Sequence, residues 1–295
     1  MGGGAWDEES YSSYTKSTRG MSLDDFAATD YSAQEMYKSR HLADKLNPYN
    51  VIRECCDSEE HPNTLPVILA LDVTGSMGDA SVKVAKKLNE IMTTLYADPN
   101  IKDIEFCVMG IGDLAYDCAP IQISQFESDI RIAEQLDLIY FEAGGGGNFF
   151  ESYTAAWYMG VNHAKLDCWK RGQKGIIITM GDEGPNPYLP QRGLSRVTGD
   201  KLQGDVETKE LYKQTLEKFD VYHISVDDRS SSYVYQKKYH DLDGEWRALL
   251  GDHYFVSNLD GLAQTITDII SNRDTWGAIP ASPGLSVNEN NEVTW

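Results

Sequence analysis

The sequence predicts a three-layer α/β/α domain, doubly wound about a mostly parallel central sheet. Short apolar runs alternate along the chain with amphipathic helical patterns. Two of the runs, at 66–71 and 175–179, are apolar almost throughout, as strands covered on both faces must be. No segment repeats. Strands that alternate with helices build a parallel sheet with right-handed crossovers, and such sheets take ligands at the carboxyl ends of their strands, where the strand order reverses.

The elements follow in order. Residues 66–71 (PVILAL) form the first strand. Val84, Leu88, Ile91, Met92 and Leu95 recur at helical spacing and form one apolar stripe. Residues 104–111 (IEFCVMGI) are a second strand, and 121–126 (IQISQF) alternate as an edge strand does, with a helix around 129–136. The loop 144–147 (GGGG) leads to a helix carrying Tyr153, Ala156, Trp157, Gly160, Val161 and Ala164. Residues 175–179 (GIIIT) are a third buried strand; a helix at 209–219 feeds a fourth, 221–226 (VYHISV). A helical pattern around 245–250 precedes a short strand at 253–256, and Leu262, Ile266, Ile269 and Ile270 mark a last helix. This domain occupies 63–275. Residues 1–62 are a polar, Tyr-rich extension that either wraps onto the domain or orders with a partner. The tail 276–295, with two prolines and no period, reads as an extended arm.

Asp and Glu number 46 against 26 Lys and Arg, for a net charge of −20. Such a surface repels phosphate backbones and anionic membrane leaflets, which argues against nucleic-acid and membrane partners. It suits cations and basic protein partners. The start, MGGGAWDEES, lacks the basic and apolar regions of a secretory leader, and Trp6 stands where a myristoylation signal wants Ser or Thr. No run approaches the ~20 apolar residues of a membrane span. Cys55, Cys56, Cys107, Cys118 and Cys168 are odd in number and include an adjacent pair, unlike a disulfide framework. A reducing, cytoplasmic location is the expectation. The six histidines are scattered, with no zinc spacing.

The chemistry concentrates where the first strand ends, at Asp72-Val73-Thr74-Gly75-Ser76-Met77-Gly78. A turn there brings the oxygens of Asp72, Thr74 and Ser76 toward one point, and Gly75 and Gly78 permit the tight path. One carboxylate with two hydroxyls is a hard, near-neutral donor set, which Mg²⁺ (or Mn²⁺ or Ca²⁺) accepts with water filling its remaining positions. The alternative is a polar turn with Ser76 or Asp79 capping the next helix.

In this strand–turn–helix setting DVTGSMG resembles the D-x-[ST]-x-S signature of the metal-ion-dependent adhesion site (MIDAS) of von Willebrand factor A-type (VWA) domains. The resemblance runs from about residue 64 to 272 through the order of elements. It implies a Rossmann-like fold, a bound divalent metal, and a protein partner that presents Asp or Glu to an open metal position. It also implies two further ligands. The aspartate after the later strand corresponds to Asp182, with Glu183 behind it; the alternative there is a solvated acidic turn. The family's loop threonine has no counterpart before Thr154, since 144–151 reads GGGGNFFE. Asn148 or Glu151 stands in its place, or Asn148 caps the helix. Asp113, in Gly112-Asp113-Leu114 after the second strand, either supports the metal ligands from behind or caps a turn. The strings GIGD, QFESD, GGGGNFFESY and GDE make the chain similar to bacterial and phage stand-alone VWA proteins. Some bacterial VWA proteins work beside MoxR-type AAA+ ATPases, an analogy of fold.

Other classes fit less well. The glycine run lacks the Lys-Ser/Thr pair of a P-loop, and no dinucleotide fingerprint follows the first strand. A metal-dependent hydrolase using Asp72, Asp182, Glu183 and Asp113 is opposed by the net charge and by hydroxyls where two-metal sites place carboxylates. His163 lies too far down its helix to act at the strand ends. The sequence therefore predicts a metal-dependent protein-interaction module that is not an enzyme, with a structural component of a larger assembly as the alternative.

Overall fold

In the computed structural model, which describes residues 4–99, 101, 103–142, 150–227 and 231–272 (231 and 232 by backbone alone), the sheet is built outward from its first strand. That strand, β1 (Leu65–Asp72), is buried at every position. It is followed by β2 (Ile104–Ile111), β3 (Ile121–Ile123), β4 (Gly175–Gly181), β5 (Phe219–Asp227) and β6 (Tyr254–Asn258). The spatial order is β6-β5-β4-β1-β2-β3, parallel throughout except for the antiparallel edge strand β3. The architecture is the three-layer, mostly parallel α/β arrangement that the alternating pattern requires.

The period-2 geometry of a strand divides its apolar run between two cores. Val67, Leu69 and Leu71 enter one cluster and Ile68 and Ala70 the other; on β4, Ile176, Ile178 and Met180 separate from Ile177 in the same way. The N-terminal helices α1 (Glu8–Arg19), α2 (Leu23–Ala28) and α3 (Ala33–Met36) share the first core with α4 (Gly78–Ala97), α5 (Arg131–Leu136) and the last helix of the described chain. On α4 the predicted stripe Val84, Leu88, Ile91, Met92 and Leu95 is buried as a unit. The second face carries α6 (Ala155–Asn162), α7 (Gln191–Thr198), α8 (Thr208–Leu216), α9 (Ser231–Tyr239) and α10 (Leu242–Leu250). The last helix, α11 (Leu262–Ser271), packs on α4.

The N-terminal segment is part of this packing. Asp7 caps α1 by accepting from the Ser10 amide at 2.8 Å. Trp6, Tyr11, Phe26, Met36, Tyr37 and Leu46 then enter the first core, each aromatic or aliphatic side chain contributing roughly 1.5–3 kcal/mol of burial. Trp6 Nε1 donates to Asn89 Oδ1 at 2.9 Å and the Tyr37 hydroxyl to the Ser81 carbonyl at 2.8 Å, so the polar tips of these rings are satisfied on α4.

From β1 the chain first adds β2 and β3 on one side, then returns to the other side of β1 to add β4, β5 and β6. The strand order therefore reverses between β1 and β4, whose last paired residues are Leu71 and Met180. Beyond that pair the two chains part, and the crevice between their carboxyl ends is where such a sheet binds ligands.

Candidate metal centre

Asp72 and Asp182 enter this crevice from neighbouring strands, and both are 0 % exposed. Asp72 Oδ1 accepts from the Thr74 amide at 2.9 Å and from Thr74 Oγ1 at 2.6 Å. The Tyr153 hydroxyl donates to Asp72 Oδ2 at 2.7 Å. Ser76 Oγ donates to Asp182 Oδ1 at 3.0 Å and so joins the two loops. The segment Gly75–Met77 is a single 3₁₀ turn leading into α4, and no side chain caps that helix. Ser76 therefore turns toward Asp182, and Asp79 lies within the first turn of α4, so the capping alternative fails for both.

Two further loops reach the same edge. Phe150–Glu151 pairs in parallel with Gly184–Pro185, which sets Glu151 beside the segment following Asp182 and Glu183. Gly112 and Asp113 follow β2; the Ser152 amide donates to the Gly112 carbonyl at 3.3 Å, and Ser152 Oγ accepts from the Leu114 amide at 3.0 Å. Asp113 Oδ1 accepts from the Ala115 amide at 2.7 Å, so it does cap its own turn, while its charge is also felt by Glu151 and Glu183. Asn148 and the glycines 144–147 lie outside the described residues. Thr154, the nearest threonine in sequence, is engaged elsewhere: Asn186 Nδ2 donates to its Oγ1 at 2.7 Å. His163 closes α6 away from the crevice, between the Val51 carbonyl at 2.8 Å and Asp200 Oδ2 at 2.7 Å.

Sequence reasoning placed Tyr153 only on an apolar stripe, but its hydroxyl completes the Asp72 carboxylate. The contact depends on Gly181, because a Cβ there would lie 1.9 Å from Tyr153 Oη. Beneath it, the His223 ring meets Tyr153 edge-on at 5.1 Å and stacks on Trp246 at 3.6 Å. Burial holds His223 well below the ordinary histidine range. Asp117 was also missed as a member of the acidic group. It accepts from the Asp113 amide at 2.7 Å, and burial pushes it up to about 6. A short hydrophilic string such as GDLAYD gives no sign of which of its acids will be enclosed.

The electrostatics of the crevice are those of acids enclosed with acids. Burial, and then the Asp182 carboxylate, raise Asp72 well above the carboxylate range. Burial pushes Glu183 up to about 8, with Asp182 and Asp72 next in effect. Glu151 is raised by burial and then by Asp72 and Glu183. Glu151 Oε2 and Glu183 Oε2 are enclosed without a hydrogen-bonding partner among the described residues. A divalent cation would answer each of these features, neutralising the repulsion and filling the open lone pairs. The donor set Asp72, Thr74, Ser76 and Asp182 is hard oxygen throughout, as Mg²⁺ or Ca²⁺ requires. Among the described residues no three His, Cys, Asp or Glu side chains are placed to hold an ion by themselves, so hydroxyls or water must complete the shell.

No family model matches the sequence, and no curated protein resembles it. Solved structures do resemble the fold. A pilus adhesin from Lactobacillus rhamnosus GG, in an open conformation, aligns with a TM-score of 0.48 at 10 % identity, over 76 % of this chain and 31 % of the adhesin. Proximal thread matrix protein 1 from the mussel byssus, with a zinc-occupied MIDAS motif, aligns with a TM-score of 0.44 at 12 % identity, over 73 % of this chain and 49 % of that one. The vWF domain of a type V pili tip protein from Porphyromonas gingivalis aligns with a TM-score of 0.43 at 10 % identity, over 74 % of this chain and 97 % of that one. The chain thus spans less than half the length of the adhesin and of the mussel protein.

Proposed function

We propose that the chain is a divalent-cation-dependent protein-interaction module and not an enzyme. Asp72, Thr74, Ser76 and Asp182 hold the ion, and the ion's outer face meets a protein partner. The single observation that carries this reading is the pair of fully buried carboxylates, Asp72 and Asp182, joined by the Ser76 hydroxyl where the strand order reverses. When bound, the ion supplies positive charge to an acidic crevice and a coordination position at its rim. The chain's own residues orient that position: Tyr153 and the Thr74 amide fix the Asp72 carboxylate, and Ser76 ties the first loop to the second. The ring that packs beneath the crevice, His223, is fully buried, which denies a substrate access to it as a base.

The test is the thermal midpoint of the purified chain in EDTA and then in Mg²⁺, Mn²⁺ or Ca²⁺, for wild type and Asp72→Ala. Binding to the native state stabilises it by about 2.7 kcal/mol at a hundred times Kd. The wild type should show this rise and Asp72→Ala should lose it. A variant that keeps the full cation response would show that the ion sits elsewhere.

A further inference from the structure

Glu151 is 3 % exposed, and its Oε2 is buried without a hydrogen-bonding partner among the described residues. Its backbone is held on two sides. It pairs in register with Pro185, and the next residue, Ser152, is bonded through its amide and hydroxyl to the loop after β2. Two residues on, Tyr153 donates to Asp72. The side chain is thus enclosed between the loops that follow β2 and β4, in the electrostatic reach of Asp72 and Glu183. An enclosed carboxylate oxygen with no donor is costly to the fold, and none of the described residues offsets that cost with a hydrogen bond.

We propose that Glu151 is the third-loop group of the cation site, acting on the ion across a bound water. This inference rests on the cation-site reading above. The water is the counterpart of assigning Asp72 and Asp182 as direct ligands, because among the described residues no three acids are grouped to hold an ion together. Where the family resemblance calls for a threonine hydroxyl, this chain supplies a carboxylate. Asp72, Asp182 and Glu151 together set three formal negative charges against two positive ones. The loaded site keeps a negative formal charge, favours cations of higher charge, and meets its partner through neutral or basic groups in place of Asp or Glu.

The experiment is a Tb³⁺ titration of the full chain, read by emission sensitised through Trp246, whose indole N–H donates to the Glu183 carbonyl at 3.0 Å. Ca²⁺ and Mg²⁺ are then measured by competition. Glu151→Gln should weaken Tb³⁺ binding on the order of 10- to 100-fold, the usual range for a carboxylate acting from outside the direct ligands. The loss for Mg²⁺ should be smaller, and Glu151→Asp should retain most of the affinity. Wild-type binding by Glu151→Gln, with binding lost in Asp72→Asn, would overturn the role of Glu151 and leave the site standing. No response of the wild type to any of the three cations would remove the site itself. Circular dichroism reports the fold of each variant. Should Glu151→Gln not fold, Glu151→Ala makes the same test, with the same loss expected.

Discussion

On the face covered by α1–α3, acids meet guanidinium groups. Asp137 pairs with Arg19, whose guanidinium also lies 4.8 Å from the Phe26 ring centroid. Beside it, Arg131 spans Asp129 and Glu127 at 2.7 and 3.0 Å. At the carboxyl ends of β1 and β4 the acids are more deeply buried, yet Asp72 is met by hydroxyls and an amide, Glu151 by other acids, and Glu183 by other acids and the Gln236 side chain. The chain neutralises buried acid with arginine in one place and, on the proposed reading, leaves it for a cation in the other. Both arrangements follow from the same desolvation cost, and only the source of positive charge differs.

That contrast is broken most directly by removing charge from each side. Arg19→Met keeps the bulk of the side chain and leaves the largely buried Asp137 with the Tyr14 hydroxyl but without its guanidinium. Loss of one member of such a pair costs about 3 kcal/mol, measurable by urea denaturation. Glu183→Gln, in EDTA, should cost little near pH 7, where burial keeps Glu183 largely protonated, and should raise stability above about pH 8, where it removes a like charge from Asp182 and Asp72. A Glu183→Gln variant as unstable as Arg19→Met would mean that its carboxylate has a native counter-charge, and the contrast would collapse.

Titration sharpens the same contrast with a smaller effect. A carboxyl whose folded value is raised holds a proton that the unfolded chain has released, so stability falls as pH rises through that interval. Burial pushes Glu105 up to about 7 and Glu183 up to about 8. His223 works in the opposite sense below its ordinary value, because the unfolded chain takes up a proton there that the fold refuses. In EDTA the thermal midpoint should therefore decline between about pH 6.5 and 8. Saturating Ca²⁺ should flatten the part that comes from the crevice and leave the part that comes from Glu105. A midpoint that climbs steadily over this range in EDTA would contradict the assignment of raised carboxyls.

The sheet was legible because its strands are apolar on both faces. Residues 104–111 coincide with β2, and the runs at 66–71 and 175–179 fall within β1 and β4. The helices that escaped notice, α1, α7 and α9, are polar. Helix α1 buries only Tyr11 and Thr15, and α7 only Leu194 and Thr198, so neither shows a full apolar stripe. In the crevice, Asp72, Thr74, Ser76 and Asp182 were readable from a local string and its place after a strand. Tyr153, Gly181 and Asp117 were not, because their roles depend on which loops the sheet brings together: the Tyr153 hydroxyl meets a carboxylate 81 positions away in sequence.

The smallest expected effect tests whether environment, and not distance, separates the two regions. Lys213 Nζ lies 2.9 Å from Glu210 Oε1 on α8, a separation like those of the Arg131 pairs, but the side chains are 71 % and 66 % exposed. Water already solvates both ions, so the pair gains little Coulomb energy and must fix two long side chains to gain it. Lys213→Ala should change stability by less than about 0.5 kcal/mol in urea denaturation, with no dependence on Ca²⁺. A loss approaching that of Arg19→Met would mean that ion-pair distance alone sets the energy. The acids of the crevice would then gain nothing special from being enclosed, and a bound cation would have no more reason to sit there than at any other acidic turn of the surface.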